Sequence, residues 1–227
     1  MEEGVRGLVC TSSSNLVLAC MITTALLSGC ANEDNIRKSK GYYQEAVARL
    51  GSDQQQAYVS FQKAVKLNPA NKEAHYGLGH VYSMQGKFKQ AEEEFREAIR
   101  IDSDYSEAHT YLGQVLVSQD QWKEAIASFR RALNNPLYGT PDLARFHLGR
   151  ALLHEGDPSG ALEVLEDALT VIPPNVPPAR LQLELGRAYH QLGLEVRARE
   201  ALVKVSTLDK GGEYATAANE LLARIKP

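Results

Sequence analysis

A Leu-Gly pair recurs along this chain at a nearly constant spacing. The pairs are Leu78-Gly79, Leu112-Gly113, Leu148-Gly149 and Leu185-Gly186, and they follow one another by 34, 36 and 37 residues. Each pair is followed in phase by a small, a bulky apolar and a further small or branched residue; in the first copy these are Ala91, Phe95 and Ala98. Self-similarity at a fixed period indicates stacked copies of one small unit, because each unit buries its apolar face only against its neighbours.

This period and pattern resemble the tetratricopeptide repeat, and the resemblance covers roughly residues 37–210. It implies an all-α fold, a right-handed α-solenoid of about five helical hairpins, with a first helix (A) and a second helix (B) in each. The hairpins are predicted to start near residues 39, 72, 106, 142 and 179 within the range 39–210. Residues 211–227 contain one more amphipathic helix, which we predict to cap the last hairpin.

The recurring glycine predicts a close approach of the two helices in each hairpin. Glycine inside a helix costs about 1 kcal/mol relative to alanine, so its return at one position of every repeat indicates a packing requirement. In the second hairpin we expect Gly79 and Ala91 to make this contact, and Phe95 and Tyr82 to fill the space between hairpins.

The N-terminus carries a second pattern. Leu27-Ser28-Gly29-Cys30 resembles the bacterial lipobox and follows an apolar run, Leu16–Leu27, that is too short to span a bilayer. The resemblance implies a signal peptide over residues 1–29, cleavage before Cys30, diacylation of its sulfur, and a flexible tether over residues 30–38. Because Ala31 rather than Asp follows the cysteine, it also implies sorting to the outer membrane, on its periplasmic face.

The alternative interpretation of this segment is a buried N-terminal helix that ends at an unrelated cysteine. Glu2 and Glu3 are unusual in a signal-peptide leader, where Arg6 is the lone basic residue, and translation starting at Val5 would explain them. Cys10 and Cys20 both precede the cleavage site, so lipidation of Cys30 would leave the mature chain without a free thiol.

Composition and motifs argue against several function classes. Without Glu2, Glu3 and Arg6 the mature chain has 24 basic and 26 acidic residues, spread along its length, and no basic footprint for nucleic acid. His154-Glu155 lacks the second histidine of a zinc-protease motif, and no phosphate loop or nucleophile elbow occurs. We therefore expect no enzymatic activity, no cofactor, no metal and no small-molecule substrate. The lone Trp122 is interpreted as structural, with a binding anchor as the alternative.

A solenoid of this kind presents a surface on which a protein partner binds. The A helices are expected to line its concave groove, and the repeat positions predict the residues that face it: Tyr76, His80, Gln114, Phe146, Arg150, Leu183 and Arg187. The fourth and fifth hairpins contribute apolar side chains with arginines, which are frequent anchors of interfaces. The expected partner is an extended peptide or a helix of an envelope protein. Packing of the apolar groove positions inside the hairpins is the alternative.

Two insertions interrupt the repeat, Asn135–Asp142 and Pro173–Pro178. The first contains Asn-Pro-Leu-Tyr-Gly-Thr-Pro before a Leu-Gly helix, which resembles the type IV pilus biogenesis/stability lipoproteins. Members of that family act as pilotins, so the resemblance implies help to an outer-membrane secretin. Other open interpretations are a scaffold for outer-membrane protein assembly or polysaccharide export, and a protein that recruits a peptidoglycan enzyme.

Overall fold

The computed structural model describes residues 32–225, and this part of the chain is helical with no strand. It divides into two compact units, Met1–Asn71 and Lys72–Pro227. The lipobox and the signal-peptide prediction, with Cys30, lie outside the described residues. None of the described helices is long and apolar enough to cross a membrane.

The described part of the first unit is one helical hairpin. Helix α1 spans residues 32–49, and α2 spans Gln54–Leu67. Ser39 of α1 donates a hydrogen bond to the carbonyl oxygen of Ala64 at 2.7 Å, and the side-chain amide of Asn71 donates to the Ser39 hydroxyl at 2.8 Å. Because α1 begins at residue 32, residues 32–38 are helical, and the predicted flexible tether and hairpin start near 39 are wrong there.

The second unit holds four hairpins and one further helix. The A helices are α3 (Lys72–Met84), α5 (Ser106–Ser118), α7 (Pro141–His154) and α9 (Pro178–Gln191). The B helices are α4 (Phe88–Ile101), α6 (Trp122–Leu133), α8 (Pro158–Ala168) and α10 (Glu195–Leu208), and α11 spans Glu213–Leu222. These helices pair in sequence order, which confirms the predicted fold class.

The order of packing in this unit distinguishes its two faces. Each A helix packs on the next A helix, so that α3 contacts α5, α5 contacts α7, and α7 contacts α9. No two successive B helices of the described chain contact each other in this way. The A helices therefore lie on the inner side of the stack, where the groove was predicted.

Each Leu-Gly glycine makes room for the bulky residue of its own hairpin. A Cβ atom added at Gly79 would lie 2.8 Å from the ring of Phe95, and one at Gly149 would lie 2.6 Å from the side chain of Leu165. Such distances are shorter than any real Cβ contact, so glycine is needed for close packing of A on B. The predicted close approach at Gly79 is present, but the atoms nearest to it belong to Phe95 rather than Ala91.

Both insertions fold back onto the hairpins. Tyr138, in the first insertion, is buried, and its hydroxyl lies 2.9 Å from the hydroxyl of Thr110 on α5. Asp142, near the start of α7, is fully buried and accepts hydrogen bonds from the backbone N–H groups of Asn175 and Val176, at 2.6 and 2.9 Å, in the second insertion. A buried carboxylate must be paired or hydrogen-bonded, so Asp142 fixes the second insertion to the start of α7.

The C-terminal helix closes the core of the last hairpin, as predicted. Ala218 of α11 is buried in one cluster with Leu183, Leu202 and Val205. Tyr214, Ala217, Leu221 and Leu222 pack against that cluster while remaining partly exposed. Without α11 the outer side of the α9–α10 hairpin would expose Leu183, Leu202 and Val205 to water. A capping helix at the end of a solenoid prevents this exposure.

Candidate partner-binding groove

Tyr76, the predicted aromatic groove residue of the second hairpin, belongs to an aromatic cluster. The ring of Tyr76 lies 5.4 Å from Tyr105, 5.6 Å from Tyr111 and 5.8 Å from Phe95, measured between centroids. These separations are typical of favourable aromatic pairs. Burial raises the pKa of the Tyr76 phenol well above its ordinary value. Tyr76 is therefore half-buried and packs mainly against its own repeats.

His80 and Gln114, the other predicted groove residues of this half, are both partly exposed. The His80 ring lies edge-on to Tyr111 at 5.2 Å, and burial lowers the pKa of His80. Its Nδ1 is buried and has no hydrogen-bond partner among the described residues. The predicted groove residues of the second and third hairpins are thus partly exposed polar side chains beside an aromatic cluster.

In the fourth and fifth hairpins the two predicted apolar contact residues are buried. Phe146 has no exposed surface, and Leu183 is 4% exposed and belongs to the core beneath α11. The expectation that these two residues offer contact area to a partner is wrong, because Phe146 is enclosed by the helices packed around it and Leu183 packs into the core beneath α11. The alternative, packing within the hairpins, describes them correctly.

Phe146 supports two arginines from below. The Arg180 guanidinium lies 4.3 Å and the Arg150 guanidinium 5.6 Å from the centroid of its ring. A cation at this distance is attracted by the ring's quadrupole, by about 0.5–2 kcal/mol depending on exposure. Phe146 therefore acts on the groove indirectly, by holding the cations that lie above it.

The predicted groove arginines are brought together on a buried carboxylate. Arg187 Nη1 lies 2.8 Å and Arg150 Nε lies 3.7 Å from the same oxygen, Oε1 of Glu184. The Glu184 side chain is 7% exposed, whereas those of Arg150 and Arg187 are 45% and 44% exposed. One carboxylate thus orients two guanidinium groups that still face solvent, and the local charge is positive.

Around this trio lies a cleft of about 360 Å³. Its lining also includes Trp122 from the start of α6, Leu153 and His154 from α7, and Leu221 from α11. The Trp122 and His154 rings stack with their centroids 3.7 Å apart and their planes 14° apart. The cleft therefore combines paired cations with an aromatic wall and apolar side chains.

Sequence reasoning did not identify Glu184 or assign Trp122 to this groove. Glu184 could have been found, because Glu and Arg three residues apart on a helix are neighbours, and Glu184 precedes Arg187 by three. The contribution of Trp122 depends on contacts between different hairpins, which the repeat pattern alone does not supply.

His147 lies beneath the arginines and is neutral. Its ring stacks on Phe129 at 5.7 Å and meets Phe146 edge-on at 5.1 Å. Burial, followed by the nearby charges of Arg150 and Arg180, lowers the pKa of His147 to about 3. The imidazole therefore serves as an aromatic packing residue at neutral pH.

His75 and His109, which share a repeat position, are both buried and hydrogen-bonded. His75 Nδ1 lies 2.6 Å from Glu94, and His109 Nε2 lies 3.0 Å from the carbonyl oxygen of Ser103. No group of acidic, histidine or cysteine side chains in residues 32–225 is arranged to hold a metal ion. The two histidines are therefore explained by packing.

Comparison with protein families places the chain in one of them. Three models of the tetratricopeptide repeat match, at residues 50–86, 73–137 and 110–177, and together they extend over more than half of the chain. The fold and the matched residues agree with the repeat pattern in the sequence, so the chain belongs to the tetratricopeptide repeat family. No curated protein sequence matches it.

Several solved structures resemble this chain over most of its length. PilF of Pseudomonas aeruginosa is 25% identical, with a TM-score of 0.73 over 85% of this chain and 86% of that one. PilW, described as a widely conserved type IV pilus biogenesis factor, is 27% identical, with a TM-score of 0.67 over 74% of this chain and 76% of its own. YrrB, a TPR protein with an unusual peptide-binding site, is 26% identical, with a TM-score of 0.66 over 85% of this chain and 97% of its own. The chain is a TPR scaffold for protein interaction, similar to proteins of type IV pilus biogenesis.

Proposed function

We propose that this chain is a lipoprotein of the outer membrane, facing the periplasm, that binds a protein partner as an assembly factor for type IV pili. In this role it acts like a pilotin on a secretin. The observation that carries the proposal is its likeness to both PilF and PilW over about three quarters or more of every chain compared. The Asn135–Pro141 link and the lipobox-like sequence at Cys30 are independent features that agree with it.

The physical design suits an assembly factor. Four stacked hairpins hold their A helices rigidly side by side, and the resulting groove carries exposed cations on a fixed base rather than on a mobile loop. A lipid anchor would keep that groove at the membrane, since acyl chains contribute about 0.8 kcal/mol per buried CH₂ and two chains give stable attachment. The partner would then meet a preformed surface at the site of assembly.

The test is deletion of the gene in its native bacterium, followed by complementation. Loss of the chain should reduce the secretin in the outer-membrane fraction and abolish surface pili, and the wild-type chain should restore both. Cys30→Ala should leave the chain outside the membrane fraction and fail to restore them. Unchanged secretin and pili in the deletion strain would refute the pilus role, and wild-type membrane fractionation of Cys30→Ala would refute the anchor.

A further inference from the structure

We propose that the cleft between α7, α9 and α11 binds an acidic side chain of a partner polypeptide, together with an apolar residue next to it. This inference rests on the proposed partner-binding function and names the chemistry that the partner must present. The occupant is a peptide segment with Asp or Glu beside a large apolar residue.

The charge of the cleft is unbalanced in favour of an anion. Arg150 and Arg187 contribute two positive charges, and Glu184 contributes the one opposing charge of the lining. Glu155 and Glu195 are not part of the lining and lie beside its two histidines, 3.5 Å from His154 and 3.1 Å from His190. A carboxylate from a partner would neutralise the remaining positive charge and accept forked hydrogen bonds from either guanidinium.

The arginines are held in place before any partner arrives. Both contact Oε1 of the buried Glu184, and Arg150 also lies above the ring of the buried Phe146. A guanidinium has five N–H donors, so contact with one carboxylate oxygen leaves most of them free to bind a ligand. Binding therefore costs little side-chain entropy, which is the usual advantage of a preorganised site.

The shape of the cleft selects an apolar neighbour beside the acid. Trp122, stacked on His154, forms one wall, and the side chains of Leu153 and Leu221 form apolar surface close to the cations. Leu221 lies on the capping helix, so the cleft exists only where α11 covers the last hairpin. An acidic residue with a Leu or Phe neighbour satisfies both parts of this lining, whereas an inorganic anion satisfies one.

Trp122 is the chain's one tryptophan and lies in the cleft, so its fluorescence reports occupancy directly. The full chain, purified in detergent, is used to select binders from a random peptide library displayed on phage. Selected sequences are then synthesised as N-acetylated, C-amidated peptides, so that a side chain is the only carboxylate, and titrated against Trp122 emission. Inorganic phosphate at the same concentration is titrated separately.

We expect the selected peptides to carry Asp or Glu beside a large apolar residue and to change Trp122 emission saturably, while phosphate leaves it unchanged. Replacing the peptide Glu by Gln, or using the variant Arg150→Gln/Arg187→Gln, should weaken binding about tenfold or more. The control Arg145→Gln lies on the same helix but pairs with Asp167 at 3.9 Å, away from the cleft, and should bind like wild type. All three proteins must show the same helical circular dichroism.

The inference would be overturned by selection that yields no binder, by binders without an acidic residue, or by binding that survives the double variant. Occupancy by phosphate alone would also contradict it, because the apolar walls would then play no part. The assay uses no pilus component. Peptide binding together with unchanged secretin and pili in the deletion strain would therefore refute the pilus role but not the cleft proposal. Loss of secretin and pili in the deletion strain without peptide binding would refute the cleft proposal but not the pilus role.

Discussion

The hairpins α3–α6 and α7–α10 share one repeat pattern but present different groove surfaces. In the first pair, the groove residue Tyr76 packs against the rings of Tyr105 and Tyr111. In the second pair, Phe146 is buried and Arg150 lies above its ring. Arg150 and Arg187 both contact the carboxylate of Glu184. The repeat therefore dictates the scaffold, while residues outside the repeat pattern decide what the groove offers.

The inserted links are a second difference between the two pairs of hairpins. The hairpins α3–α4 and α5–α6 follow one another at the regular period, whereas α7 and α9 are each preceded by an inserted link. Tyr138 of the first link occupies space against Thr110, and Asp142 holds the second link. A link that folds back in this way fixes the start of its A helix as well as covering polar groups on the neighbouring hairpin.

The largest effect is expected from removing a bulky B-helix residue in the regular half of this unit, the hairpins α3–α4 and α5–α6. Phe129 has no exposed surface, and Phe129→Ala should lower the free energy of unfolding by about 3–5 kcal/mol. Leu165 is the equivalent residue of the irregular half, the hairpins α7–α8 and α9–α10. Leu165→Ala should lower the free energy of unfolding by about 2–5 kcal/mol. Denaturant unfolding measures both losses. A loss below 1 kcal/mol for either variant would contradict the assigned packing.

A smaller loss is expected when the second link is released. Asp142→Asn removes the negative charge that strengthens the hydrogen bonds from the link and turns one accepting oxygen into an N–H donor, at a cost of about 1–3 kcal/mol. Amide hydrogen exchange at Asn175 and Val176 should also become faster. Asp104→Asn, at an exposed position, is the control and should change stability by less than about 0.5 kcal/mol. Equal stability of both variants would show that the link does not depend on Asp142.

The third prediction concerns pH and the irregular half alone. The pKa of His147 is about 3 in the folded chain and about 6.5 when unfolded, so between these values the unfolded chain binds one more proton. The stability contributed by neutral His147 is thus fully present above pH 6.5 and falls as pH drops below it, by at most about 1.4 kcal/mol per pH unit. His147→Gln should lose this slope between pH 5.5 and 4.5, while other groups titrate equally in both proteins. Parallel pH profiles would contradict the buried, neutral assignment.

The fold could be predicted closely from the sequence because the repeat states its packing several times over. The hairpin predicted to start near residue 72 begins with the helix Lys72–Met84, and the capping helix packs as expected. The start of the first hairpin could not be placed, since its A helix lacks the Leu-Gly pair and extends back to residue 32.

The groove was predicted with less success, for a physical reason. Repeat position indicates which side of a helix a residue occupies but not how closely neighbouring helices cover it. Arg150 and Arg187 keep exposed side chains, whereas Phe146 and Leu183 are buried. The role of Glu184 was missed for the same reason. It is a charged residue between core leucines, and its partners Arg150 and Arg187 lie on two different helices.

The most direct test of this account compares two charge changes on opposite faces of the stack. Under the proposed function, the amount of secretin that co-purifies with the chain from membranes should fall about tenfold or more for Arg150→Glu/Arg187→Glu, since like charges then face the acidic segment proposed for the partner. Lys89→Glu, at an exposed position of the B helix α4, should co-purify secretin at the wild-type level. If the groove variant remains folded and keeps its secretin while Lys89→Glu loses it, the partner binds the outer face and the account is wrong.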